Sequence, residues 1–380
     1  MKRLLIFIMI IGALFLSSCS TNYAICDDSY SNIIIKGKID WTDYGKNVHP
    51  SFHAKVKIWN EELLCTRLIA TAISDENGYY EVAIKNSHQY GKRGKGLYIE
   101  FGPETEHAII NTNGNEEYYK RYRITSDDLD GNVYEKSLTY GTDLCGRSYS
   151  IAQALEYGNQ YVYELDGSHL PQLIINYPSG YKYPYETYFD YTKRQIHVAE
   201  INYYDWDVLL HEYGHYVEEM YGFASGAGGW HYMNEILTER FSQDIGERKA
   251  WNEGFATYFS LSCQKHLAMD RLGIADYDGV NTFANDSFDI KKYKDIDINV
   301  KNKWRYGDGC ETSVAGFLLS LADSDLTTND DFSYGFKALW DIIAPNKVVS
   351  MSEFIEHLYA IYPADIDRIE KLREYFKSGN

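Results

Sequence analysis

The run Trp206-Asp207-Val208-Leu209-Leu210-His211-Glu212-Tyr213-Gly214-His215-Tyr216-Val217 constrains this chain most. Histidines four residues apart lie about 40° apart around a helix axis and one turn apart along it, so their imidazoles converge on one point if the run is helical. Val208, Leu209, Leu210 and Val217 make that helix apolar enough to bury, and a buried helix bearing two imidazoles and a carboxylate needs partners for them. Imidazole and carboxylate donors suit zinc, and Glu212 projects beside the metal-facing side, where it can take a proton from water. With 11 histidines in 380 residues, such a pattern arises by chance about 0.02 times per chain.

Two carboxylates compete to be the third ligand beside His211 and His215. Glu235, in Met233-Asn234-Glu235-Ile236-Leu237-Thr238-Glu239, follows His215 at the spacing of the thermolysin ligand segment, which its Asn-Glu pair resembles. Glu253 lies in Ala250-Trp251-Asn252-Glu253-Gly254-Phe255-Ala256-Thr257-Tyr258-Phe259, which resembles the glutamate helix of aminopeptidase N-like enzymes. Burial favours Glu253. Its neighbours Ala250, Trp251, Phe255, Ala256 and Phe259 would desolvate an unpaired carboxylate at high cost, whereas Glu235 has Glu239, Arg240, Gln243 and Asp244 close by in sequence. A metzincin is excluded, because Glu218 and Tyr221 stand where that class needs glycine and histidine.

The two segments together resemble the gluzincin class of zinc metallopeptidases, more loosely over residues 150–380. The resemblance implies Zn2+ held by His211, His215 and Glu253, with Glu212 as general base. The gap from His215 to Glu253 is wider than the family's and implies an insertion, Gly222 to Asp244, with a loop at Gly226-Ala227-Gly228-Gly229. The class also uses a tyrosine or histidine as oxyanion donor, for which Tyr306 is a candidate by its distance after Glu253. Thr257, one turn beyond Glu253, is placed to orient a ligand from behind.

The amino terminus carries Lys2 and Arg3, an apolar run from Leu4 to Leu16, and then Leu16-Ser17-Ser18-Cys19. The run is too short for a spanning helix and reads as an export signal over residues 1–18. Its end resembles the bacterial lipobox, which implies lipidation of Cys19 and attachment to a bacterial membrane, at the outer membrane or cell surface. Residues 19–32 read as a tether. The formal charge of −18 disfavours nucleic acid as a partner.

Between residues 33 and 140 short apolar runs alternate with turn residues, which predicts an antiparallel β-sandwich. Thr71-Ala72-Ile73-Ser74-Asp75-Glu76-Asn77-Gly78-Tyr79-Tyr80-Glu81-Val82 reads as a hairpin around Asn77-Gly78. It also resembles the turn of carboxypeptidase regulatory-like and transthyretin-like domains, which implies an accessory module. From residue 150 to 380 the expectation is a zincin-like catalytic domain. Its helix at 151–165 is followed by strands at 172–177, 187–191 and 195–199, then helices at 206–220, 233–245, 248–266, 311–323, 332–343 and 352–361. The whole is α+β. Beyond Cys19, the cysteines are Cys26, Cys65, Cys145, Cys263 and Cys310, with no CxxC. Export permits a disulfide, but the spacing selects no pair.

These readings converge on a zinc-dependent metallopeptidase acting on peptide or protein substrates. It reads as an endopeptidase, since no Gly-x-Met-Glu-Asn segment precedes His211 to grip a free amino terminus. The strand at 195–199 is expected to lie at the sheet edge, where an extended peptide would pair with it. The rival readings are a surface binding lipoprotein with a non-catalytic zinc domain, and a zinc hydrolase of non-peptide substrates.

Overall fold

The computed structural model describes residues 29–61, 65–87, 96–112, 115–179, 187–225, 231, 235–267, 274, 307–323 and 333–377. Cys19, Cys26, Tyr306 and the Gly226–Gly229 stretch lie outside the described residues. The strands are β1 (Asn32–Thr42), β2 (Val48–Pro50), β3 (Ala54–Glu61), β4 (Thr66–Ile73), β5 (Tyr79–Lys85), β6 (Gly96–Thr105), β7 (Ala108–Asn111), β8 (Lys120–Arg123), β9 (Val133–Glu135), β10 (Leu138–Tyr140), β11 (Leu173–Asn176), β12 (Tyr188–Asp190) and β13 (Gln195–His197). The helices are α1 (Leu144–Asp166), α2 (Trp206–Tyr221), α3 (Leu237–Arg240), α4 (Gln243–His266), α5 (Glu311–Ala322), α6 (Phe336–Asn346), α7 (Met351–Ile361) and α8 (Ile366–Lys377). The fold is α+β, as the sequence pattern implies. Two compact units divide it, the first comprising residues 1–39, 54–102 and 119–138, the second residues 40–53, 103–118 and 139–380.

In the first unit β3 has one wet and one dry face, whereas β6 is buried along both. In β3 the residues alternate strictly, Ala54, Val56 and Ile58 inward and fully buried, Lys55 and Lys57 outward, as a half-buried strand requires. β3 pairs antiparallel with β4, β6 with β8 and β1 with β5. Two expectations are corrected here. β9 pairs parallel with β1, so the unit is not purely antiparallel; a parallel pair needs a long connection, and here most of the unit intervenes. The tight turn does form, with Gly78 at φ 81° and the Asp75 Oδ1 accepting from the Asn77 and Tyr79 amides. Its flanking strands do not make a hairpin, however. β4 pairs with β3 and β5 with β1, so the turn carries the chain from one sheet to the other.

In the second unit β7, β11, β13 and β12 lie side by side, β7, β11 and β13 parallel and β12 antiparallel to β13. The sequence pattern assigns residues 40–53 and 103–118 to the β-sandwich, but both stretches, β7 among them, group with this unit. β7 pairs with the preceding β6 on one side, but on the other it finds β11, more than sixty residues later, and local alternation carries no record of a pairing at that range. A further correction concerns the sheet edge. β13 is paired on both sides, by β11 and β12, and among the described residues the edge strand is β12.

α1 starts earlier than expected, at Leu144, capped by the Asp143 carboxylate accepting from the Gly146 amide at 3.1 Å. It ends at Gly167, whose φ of 78° is the left-handed stop that glycine adopts without strain. The helices expected at 233–245 and 248–266 are instead the single turn α3 and the continuous helix α4. α4 lies against α2 and α5 because glycines allow close approach. A Cβ on Gly214 would sit 2.8 Å from the Ala256 Cα, and one on Gly254 would sit 2.5 Å from the Val314 Cβ. The helix bearing the histidines, the helix bearing Glu253 and the helix starting at Glu311 are thereby locked together.

Candidate metal centre

α2 begins at an Asp205 cap, whose Oδ1 accepts from the Val208 amide at 3.2 Å, and ends at Gly222 with φ 75°. Between these ends Leu209, Leu210, Tyr213 and Val217 are buried, so the helix is fixed in rotation and its histidine face is turned toward α4. His211 Nε2 lies 3.4 Å and His215 Nε2 3.2 Å from the same atom, Glu253 Oε2. The two imidazole planes are nearly perpendicular, with centroids 4.8 Å apart. Three donors from two helices thus converge, as burial of the Glu253 helix predicts. Glu235 is not among them; its carboxylate instead accepts from Arg240 Nη1 at 3.2 Å.

The donors fit zinc. Bonds of about 2.0–2.1 Å in a tetrahedron put neighbouring ligand atoms about 3.3–3.4 Å apart, and the two edges are 3.2 and 3.4 Å. The 3.4 Å edge is longer than an N–H···O hydrogen bond, and the 3.2 Å edge sits at the upper end of that range. Each histidine is also held from behind, as a metal-bound imidazole requires. His215 Nδ1 lies 2.9 Å from Glu218 Oε2, and His211 Nδ1 lies 3.0 Å from Thr257 Oγ1. Thr257 thus stands where the sequence placed it. Glu218, which stands where a metzincin needs glycine, is the carboxylate behind His215.

Burial dominates the electrostatics. It drives the Glu253 carboxyl upward, but His215, His211 and His231 outweigh it and hold the group well below the usual carboxylate range. Burial also raises Glu212, against the opposing pull of His211 and His215. Glu218 is pushed up to about 8 by burial, despite its bond to His215. Glu212 is oriented by the sheet, its Oε2 accepting from the Phe189 amide on the edge strand β12 at 2.8 Å.

Three further residues complete the surroundings. Tyr191 Oη accepts from Asn252 Nδ2 at 2.8 Å, with its ring 5.9 Å from that of His215. His231 Nε2 lies 3.1 Å from Glu311 Oε2 and 3.9 Å from Glu253 Oε2. Glu311, the first residue of α5 and almost fully buried, accepts from Thr257 Oγ1 at 2.7 Å through its Oε1. Glu311 carries no sequence signal of its own, and only its place at the head of an apolar helix hinted at burial. A second imidazole group, also in the second unit, brings together His53, Glu106 and His107. There one oxygen, Glu156 Oε1, lies 2.8 Å from His53 Nδ1 and 2.7 Å from His107 Nδ1.

A buried histidine pair one helical turn apart, closed by a glutamate from a second helix in an α+β domain, has the donor set and geometry of a metallopeptidase-type zinc centre. The family comparison agrees. Residues 166–377, more than half the chain, match the Mycolysin C-terminal domain, and the chain belongs to that family. The match contains His211, Glu212, His215 and Glu253 and supports a zinc metallopeptidase relationship. No curated protein matches the chain. Among solved structures, a 9R-lipoxygenase from Cyanothece PCC8801 is 10% identical over 43% of this chain and 29% of its own, with a TM-score of 0.19. A candidate carbohydrate-binding protein from Pseudomonas aeruginosa is 11% identical over 29% of this chain and 88% of its own, with a TM-score of 0.17. An (S)-allantoin synthase is 15% identical over 29% of this chain and 41% of its own, with a TM-score of 0.18. At these scores none bears on fold or function.

Proposed function

We propose that the chain is an exported zinc endopeptidase whose metal is held by His211, His215 and Glu253. The observation that carries this reading is the convergence of both Nε2 atoms on Glu253 Oε2 at tetrahedral-edge distances, with a separate carboxylate, Glu212, beside them. Bound zinc supplies Lewis acidity toward a scissile carbonyl. Glu212 accepts the proton of the attacking water and delivers it to the leaving amine, a role that its raised proton affinity suits. Its bond to the Phe189 amide keeps it beside β12, so an extended peptide paired with that open edge would run past the base. A purely structural metal site would need the two histidines but not the glutamate between them.

Glu212→Gln tests the reading. The variant should keep its zinc and its fold and lose peptide hydrolysis by at least about a hundredfold, the usual scale of a general base; cleavage of a proteome-derived peptide library near the parent rate would overturn it. For localisation, no helix among the described residues is long and apolar enough to cross a membrane. The proposed membrane attachment rests on the Leu-Ser-Ser-Cys junction and lipid at Cys19. Cys19→Ala should release the protein from the membrane fraction or block processing, and unchanged attachment without lipid label would refute the anchor.

A further inference from the structure

We infer that Glu311 is a positioning residue that fixes opposite proton placements on two imidazoles, leaving His211 able to bind metal and His231 unable to. This rests on the metal reading above. An ionised carboxylate only accepts hydrogen bonds, so at the 2.7 Å contact the Thr257 hydroxyl donates its one proton to Glu311 Oε1. At its 3.0 Å contact with His211 Nδ1 the same oxygen must then accept. His211 therefore carries its proton on Nδ1, and its Nε2 lone pair faces Glu253 Oε2.

The other oxygen of Glu311 works in the opposite sense. Its Oε2 accepts from His231 Nε2 at 3.1 Å, which places the His231 proton on Nε2. That atom is 3.9 Å from Glu253 Oε2, longer than a tetrahedral edge and outside the group of donors that converge within 4.8 Å, so it would have to swing inward and offer a lone pair to become a fourth protein ligand. A fourth protein ligand would close the position that a catalytic zinc site leaves open. Committed to Glu311 as a donor, His231 Nε2 has no lone pair to give. One buried carboxylate thus orients a ligand and holds back a competitor.

Glu311→Gln is nearly isosteric but breaks this polarity. The amide oxygen can still accept from His231, so the NH2 falls to Thr257, whose hydroxyl reverses and turns its proton toward His211 Nδ1. That favours a proton on His211 Nε2, in competition with the metal. Zinc affinity, measured by chelator competition, should fall about 10–100-fold, and Glu311→Asp should recover part of the loss. The effect should vanish in a Thr257→Val background, because the relay is already cut; a merely structural role for Glu311 would not depend on Thr257.

Nitrogen-15 imidazole spectra of the zinc-loaded wild type give a second readout that needs no variant. The His211 proton is expected on Nδ1 and the His231 proton on Nε2. A bare His231 Nε2, or a Glu311→Gln protein with wild-type zinc affinity, overturns the inference. His215→Ala is the control. If it too retains stoichiometric zinc, the metal reading itself fails; if it loses zinc while Glu311→Gln does not, only the role of Glu311 fails.

Discussion

Two places in the second unit gather imidazoles around a buried carboxylate, and their distances separate them. Around Glu253 the nitrogen-to-oxygen contacts are 3.2 and 3.4 Å and use Nε2, with each Nδ1 engaged behind by Glu218 or Thr257. Around Glu156 they are 2.7 and 2.8 Å and use Nδ1, and the carboxylate also accepts from the His107 amide at 3.1 Å. The first set has the spacing of atoms sharing a metal, and the second that of atoms sharing protons. Residue types alone do not distinguish them, since each group holds two histidines and a carboxylate. What differs is which nitrogen faces inward and what stands behind it. The Glu156 group also lies outside residues 166–377, the span matched by the family.

The sharpest way to break this contrast is to count zinc. His215→Ala should reduce bound zinc from about one equivalent to near none, because two remaining ligands do not hold a structural or catalytic zinc. The double change His53→Ala with His107→Ala should leave about one equivalent. Elemental analysis after desalting decides it, and zinc that follows His53 and His107 would reverse the two assignments.

A smaller effect separates the two carboxylates that the sequence left in competition. Glu253→Ala removes an anionic donor and should weaken zinc binding by several orders of magnitude. Glu235→Ala removes the half-buried partner of an exposed Arg240, away from the donor cluster, and should change it at most a few-fold. Competition with a chromogenic chelator measures both. If Glu235→Ala releases the metal, the thermolysin-like spacing was the informative signal.

The centre was legible where chemistry is local in sequence. His211, Glu212 and His215 follow from helical periodicity, and Glu253 and Thr257 from an apolar helix carrying polar groups. What stayed hidden depends on contacts between distant segments. Glu218 appeared only as the absence of a glycine, and Glu311 and His231 reach the centre from an apolar helix head and from within the inserted stretch. The sheet shows the same limit. Strand positions at 173–176, 188–190 and 195–197 were legible, but the edge was misassigned because three residues of β12 do not reveal which strand caps the order. The turn at Asn77-Gly78 was likewise found while the sheets that it joins were not, since a tight turn fixes a reversal of the chain and not the partners on either side.

The smallest expected effect concerns stability. Burial alone would raise the Glu156 carboxyl, but hydrogen bonds from His107 and His53 overcome it and lower the group from its ordinary 4.5 to about 2. A carboxyl whose folded value is depressed contributes stability that is fully present above its unfolded value and is lost as pH falls toward the folded one. The contribution of Glu156 should therefore be constant above about pH 5 and fade between about pH 4.5 and 2. Glu156→Gln removes the charge and turns one of the two acceptor oxygens into an NH2 donor, so either the two imidazoles or the His107 amide loses its acceptor, which should cost about 3 kcal/mol at neutral pH. Zinc content should not change, because the metal ligands are untouched. Denaturant unfolding of wild type and variant at a series of pH values gives the difference directly, and contributions common to both proteins, including that of bound zinc, cancel. A difference that persists undiminished to pH 2, or one accompanied by loss of zinc, would show that the short contacts around Glu156 are not the proton-sharing kind that their lengths indicate.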